Sequence, residues 1–313
     1  MNATATITSP TAANGFTAPA ASAPSIASSA MLAELSISVW TGKKKDKSAS
    51  DDVTRANNAA KGVAAVHKKL LGDCAELDAV QKFAANVRST HYASTLPWSD
   101  SGLRLLPTAR YFAYHKQMTA LRDEFYRLVA IFLKAYDWEI TQAQAKLGDL
   151  FNVREYPNTD ELAKKFRFAS TYIPLPETGD WRVDMERETQ DALRAQYAEA
   201  YAAQLKGAMD DIWHRLHDTL ITLSRQLLVE DDGNGGVKAN RIYQSVFDRA
   251  LDIIDMMETC NVTDDMNMQI MQRRLKAAFR GLNVESLKDD TQLRAETKRT
   301  IDAAIKALPS LDF

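Results

Sequence analysis

Apolar residues recur every seven positions through one long stretch of the chain. Tyr111, Met118, Phe125 and Phe132 form one series, and Tyr114, Leu121, Leu128 and Ala135 form a second, offset by three. These are the a and d positions of four heptads. The spacing predicts a helix over 107–147, roughly 60 Å long at 1.5 Å per residue, with Pro107 in its first turn, where a missing N–H is harmless. A second long helix is predicted over 185–229. Met209, Leu216 and Leu223 alternate there with Trp213, Leu220 and Leu227, after a looser start at Leu193, Tyr197, Tyr201 and Leu205. The four-residue steps of that start drift around a helix faster than heptads do. They favour a bundle over a uniform coil, with the two long helices antiparallel.

The remaining pattern is shorter-ranged. Leu35, Ile37 and Val39 alternate with polar Ser36 and Ser38, which predicts one short N-terminal strand near 35–40. Val63, Val66, Leu70, Leu77, Val80 and Val87 predict a helix over 53–92. The stretch 93–107 carries Pro97, Gly102 and Pro107, and is apolar enough to pack as a loop. Asn158, with Glu161 three residues on, predicts a capped short helix over 159–166. Phe166, Phe168, Tyr172 and Ile173, then Pro174, Pro176 and Gly179, then Trp181 and Val183, predict a small β-hairpin. Shorter helices follow over 240–259, 264–280 and 289–307, the second capped by Thr263 with Asp264 and Asp265 in its first turn. The fold expected is mainly α: a long antiparallel helical hairpin or bundle with a small β-hairpin at its tip. Residues 1–30 form an uncharged Ala/Ser/Thr/Pro leader expected to be disordered. Residues 31–313 form a single elongated helical domain with a tip insertion at 148–184 and a C-terminal helical part at 240–313.

Composition narrows the function classes. The chain has 313 residues, of which 12 are Gly and 9 are Pro, few for a turn-rich β fold. Two cysteines exclude a disulfide scaffold. The leader has neither a basic start nor a continuous apolar run, so it does not read as a signal peptide. No apolar run is long enough for a transmembrane helix, and no membrane partner is expected. The net charge is -2. It hides an excess of four positive charges over 31–158 and of six negative charges over 159–313.

Candidate chemistry is sparse. The chain contains no G-x-G-x-x-G, no G-x-x-x-x-G-K-[ST], no G-x-S-x-G and no H-E-x-x-H, and no cofactor is expected. The Gly-rich segment 230–236 starts like a calcium loop, but position twelve, counted from Asp232, is Tyr243 instead of a bidentate glutamate. Asp210, His214 and His217 share one helix face and are weak metal-ligand candidates, with a polar flank as the competing reading. Cys74 and Cys260 read as small buried hydrophobes. The tip interleaves Lys164, Lys165, Arg167 and Arg182 with Phe166, Phe168, Tyr172 and Trp181. Cations and aromatics together can hold single-stranded nucleic acid through phosphate contact and base stacking. They can equally close the end of a bundle, with the cations solvated. Lys43, Lys44, Lys45 and Lys47 form a basic run that reads either as a phosphate contact or as a solvated loop.

The segments LSISVWTGKKK (35–45), YASTLPWSDSGLRLLP (92–107), LGDLFNVREYP (147–157), FRFASTYIPLPETGDWRV (166–183) and LRAETKRTI (293–301) resemble a family of uncharacterised tailed-bacteriophage proteins. The resemblance spans nearly everything after Met31. It implies a helical phage protein from an early or DNA-metabolism gene cluster, located in the host bacterial cytoplasm, and it carries over no catalytic residues. The first expectation is a non-enzymatic scaffold. It would associate with itself or with a phage or host protein through a seam of Tyr111, Met118, Phe125, Phe132, Met209, Trp213, Leu216 and Leu220. The alternative is a single-stranded nucleic-acid-binding accessory of replication or recombination, using Lys43, Lys44, Lys45, Lys164, Lys165, Arg167, Phe168, Trp181 and Arg182. The second alternative is a metal-dependent enzyme using Asp210, His214 and His217.

Overall fold

The computed structural model describes residues 29–175, 187–231 and 237–309. The chain is mainly helical, with a small antiparallel sheet at its centre. The predicted N-terminal strand forms and is longer than expected: β1 runs Ala30–Ser38. Its side chains alternate between two cores. Ala30 and Leu32 enter one, while Met31, Ala33, Leu35 and Ile37 face the other, as the two-residue period of a strand requires. Ala30, assigned to the leader by composition, is 3% exposed and belongs to the fold. The rest of the leader, 1–28, lies outside the described residues.

The sheet order is β4 (Leu96–Pro97), β5 (Arg104–Pro107), β1, β6 (Arg167–Pro174). β6 pairs antiparallel with β1 from Met31↔Pro174 to Ser38↔Arg167. The strand predicted at the tip is therefore real, but its described partner is β1, far away in sequence. The proposed return strand at Trp181 and Val183 lies outside the described residues. Pro107 closes β5 opposite Ala30 and caps a 3-10 turn, Thr108–Arg110, that leads into the first long helix, so it stands just before that helix and not in its first turn. The 93–107 stretch packs as expected, and its Trp98 is buried against Tyr201 at 5.3 Å.

The predicted helix over 53–92 is corrected to four pieces. These are α1 (Lys47–Ala56), a connecting turn, β3 (Val66–Lys69) and α2 (Ala75–Ser94), while β2 (Lys43–Asp46) precedes α1. Gly62 and Gly72, both with positive φ, break the helical path that the apolar spacing suggested. The first long helix, α3 (Tyr111–Leu147), packs on α2. Tyr114, Met118, Phe125, Phe132 and Tyr136 of α3 share a core with Leu77, Val80 and Val87 of α2 and with the odd-numbered side of β1. Asn158 caps α4 (Thr159–Ala163) as predicted, accepting from Glu161 N at 2.8 Å. Asn158→Ala should cost about 1 kcal/mol, read as a lower urea midpoint at unchanged slope.

The second long helix, α5 (Arg187–Gln226), does not share α3's core. Its Ile212, Trp213, Leu216, Leu220 and Leu223 pack with α6 (Gln244–Thr259), α7 (Met266–Ala278), α8 (Val284–Asp289) and α9 (Thr291–Lys306), and with Ala30, Leu32 and Leu105 of the sheet. The sheet thus contributes to two helical cores through its opposite sides. α7 is capped by Asp265 rather than Thr263, because Asp264 has a positive φ of 54° and lies outside the helix. A ribbon of β7 (Val229–Asp231) and β8 (Val237–Ala239) follows α5.

Candidate nucleic-acid interface

The Lys43–Lys45 run is not a loop. It is strand β2, paired antiparallel with β3 as Lys43↔Lys69, Lys44↔Lys68, Lys45↔His67 and Asp46↔Val66. The chain reaches the ribbon through Gly42, whose φ is +64° and whose Cβ, if present, would lie 2.8 Å from Leu77 Cδ2. Glycine is required there both for the backbone conformation and for the close approach to α2. Leu70 N donates to Gly42 O at 2.7 Å and continues the pairing at the base of the ribbon.

Opposed residues of an antiparallel pair project to the same side, so the ribbon has two chemically distinct faces. On the inner face, the Lys68 ammonium is almost wholly enclosed. It donates to Leu150 O at 2.7 Å and pairs with Glu155 at 2.9 Å and Asp46 at 3.1 Å. Lys44 adds a 3.8 Å contact to Glu155. The hydrogen bond to Glu155 holds the Lys68 pKa above its ordinary value. The backbone N–H of Ala49, with Lys68 second, holds Asp46 below the usual carboxylate range. The inner charges are therefore compensated.

The outer face carries Lys43, Lys45, His67 and Lys69, all exposed. Lys69 pairs with solvent-exposed Asp73 at 3.0 Å. Among the described residues, Lys43 and Lys45 form no ion pair. Like charges placed directly opposite one another, as Lys43 and Lys69 are, weaken a ribbon instead of holding it together. Residues 39–73 hold eight Lys or Arg and four Asp. That surplus of four equals the whole positive excess of residues 31–158.

The tip cations lie at the same end of the molecule. Trp40, three residues before β2, packs on Phe132 at 6.2 Å and Tyr136 at 5.9 Å, and Phe166 packs on the same Phe132 at 5.7 Å. Lys164, Lys165 and Arg167 flank that phenylalanine and are exposed. The interleaved aromatics point inward: Phe166 is 5% and Phe168 6% exposed. Phe168 therefore closes the core against Phe125 at 5.8 Å and does not stack on bases. Trp181 and Arg182 lie outside the described residues.

No protein-family model, curated protein or solved structure matches the chain. Among the described residues, no helix is long and apolar enough to cross a membrane.

The other candidates fare differently. Asp210, His214 and His217 do not bring three ligand atoms together among the described residues. Asp210 turns to Lys206 at 2.6 Å, His217 approaches Asp218 at 3.4 Å, and positions 210 and 217 lie about 10 Å apart along the helix. The seam is consumed internally. Met118, Phe125, Phe132, Leu216 and Leu220 are at most 1% exposed, Met209 is 7% and Trp213 5%, and Tyr111 is half-buried against Tyr172 at 5.1 Å. These heptad side chains pack into the chain's own two cores.

The sequence pattern missed His67, Lys68 and Lys69 because they fell inside the predicted helix. Gly62 and Gly72, bracketing the β-branched Val63 and Val66, were the available signal for a short strand.

Proposed function

We propose that the protein binds the phosphate backbone of a single-stranded nucleic acid along the outer face of the β2–β3 ribbon, with the α4–β6 tip cations extending the track. The observation that carries this reading is the row Lys43, Lys45, His67 and Lys69, stacked across two paired strands with little internal compensation. A polyanion supplies the missing counter-charge, and release of its condensed counterions drives association. Affinity comes from phosphate contact alone, because the neighbouring aromatics are committed to the core, so weak sequence preference is expected. Apart from Tyr111, the side chains of the seam are buried in the chain's own cores. A phage replication or recombination setting rests on the resemblance alone.

The test is a titration of the full chain with a labelled single-stranded oligonucleotide at low salt. Lys43→Ala, Lys45→Ala and Lys69→Ala combined should weaken binding by about 100-fold, with an unchanged urea midpoint or a higher one once the cross-strand repulsion is gone. Phe168→Leu should leave the affinity unchanged. Equal affinity in the parent and the triple variant would remove the ribbon from the account.

A further inference from the structure

We infer that Cys74, Glu76 and Glu139 form a site for one thiophilic divalent cation of the zinc type, between the start of α2 and the buried face of α3. Cys74 is the residue that precedes α2, Glu76 is in its first turn, and Glu139 projects from α3 toward them. One ligand atom from each lies within 4.8 Å of the other two. Cys74 and Glu139 are buried, and Glu76 is half-buried.

A group of two carboxylates and a thiol is not by itself a site. The deciding observation is the Glu139 carboxylate, which is 5% exposed and whose Oε2 is buried with no hydrogen-bond partner. Among the described residues, neither Glu139 nor Glu76 forms an ion pair. The contact present inside the group is Cys74 Sγ to Glu76 Oε2, at 3.7 Å. An ionised carboxylate held away from water without a counter-charge is strongly disfavoured. A divalent cation between the three groups removes that penalty and gives the orphaned oxygen a ligand. Tetrahedral zinc with one sulfur and two carboxylate oxygens needs ligand separations of about 3.6 Å, which rotamer adjustment can reach from the arrangement present. The thiolate selects zinc over magnesium or calcium. Burial pushes the Cys74 thiol up to about 11. Binding therefore forms one metal–sulfur bond and releases one proton to solvent, and affinity rises with pH. The fourth position is left to water.

The experiment is titration of the reduced full-length chain with Co2+, followed by displacement with Zn2+. The expected result is one equivalent bound, with a sulfur-to-cobalt charge-transfer band in the near ultraviolet that zinc abolishes. Cys74→Ser should remove the band, and Cys260→Ser, in the other core, should keep it. Glu139→Gln and the milder, half-exposed Glu76→Gln should each weaken cobalt binding by about tenfold or more. A parent chain that shows no thiolate band, or whose band survives Cys74→Ser, would overturn the site.

Discussion

Arg294→Ala is expected to lower the stability of the chain by about 3–5 kcal/mol. Arg294 is 4% exposed, and its guanidinium donates to four backbone carbonyls: Gln226, Leu227 and Leu228 at the end of α5, and Asn240 after β8. The last carbonyls of a helix have no partner within it. A cation placed there also meets the negative end of the helix dipole. Truncation removes charge-assisted bonds from several acceptors at once and uncouples α9 from α5. Arg294→Lys should recover only part of the loss, because one ammonium cannot span what the planar fork reaches. Chemical denaturation reads both variants, and an alanine variant within about 0.5 kcal/mol of the parent would contradict this account of the junction.

Stability should also fall as the pH drops from 6.5 to about 4, through His91. This residue is 3% exposed, shares a 2.6 Å hydrogen bond between its Nδ1 and the Tyr114 hydroxyl, and lies near Arg104. Burial, with Arg104 second, lowers its pKa from the ordinary 6.5 to about 4. Between those values the unfolded chain binds the proton and the folded chain does not, so stability rises with pH across that window. The contribution is fully present above 6.5 and absent below about 4, and its size is of the order of 3 kcal/mol. His91→Gln should flatten that part of the profile while lowering the plateau. An unchanged slope in the variant would assign the acid sensitivity to other groups. The same corner explains Arg104 within the 92–107 segment. Arg104 and Arg215 both donate to Thr95 O, and Arg215 also reaches the carbonyls of Tyr92 and Ala93, so two arginines close the C-terminus of α2.

Local periodicity revealed what local physics determines. The heptads of α3 and α5 are real helical stripes, β1 follows its two-residue alternation, and Asn158 caps its helix. What periodicity could not reveal was which stripe faces which. Met118 and Leu216 carry the same kind of signal, yet they enter different cores because the paired strands β1 and β5 separate their apolar side chains between the two. The pairing of β1 with β6 joins residues 129 to 143 positions apart, and nothing within either segment encodes its partner. The ribbon was hidden for a related reason. Lys43–Lys45 read as a charge run in isolation, and His67–Lys69 read as part of a helix. Only cross-strand register turns them into one basic face. The Cys74 group was equally invisible, since Glu139 lies seven residues past Phe132, beyond the four heptads, and its approach to Cys74 and Glu76 depends on how α3 packs on α2.

The most direct measurement is the salt dependence of single-stranded oligonucleotide binding for the full chain and for the Lys43/Lys45/Lys69 triple alanine variant. Each phosphate contact contributes about 0.7 to the slope of log K against log salt on a single strand. A steep negative slope is expected for the parent and one shallower by about 2 for the variant. Parallel slopes for the two proteins, or binding insensitive to salt, would contradict the ribbon as the nucleic-acid interface.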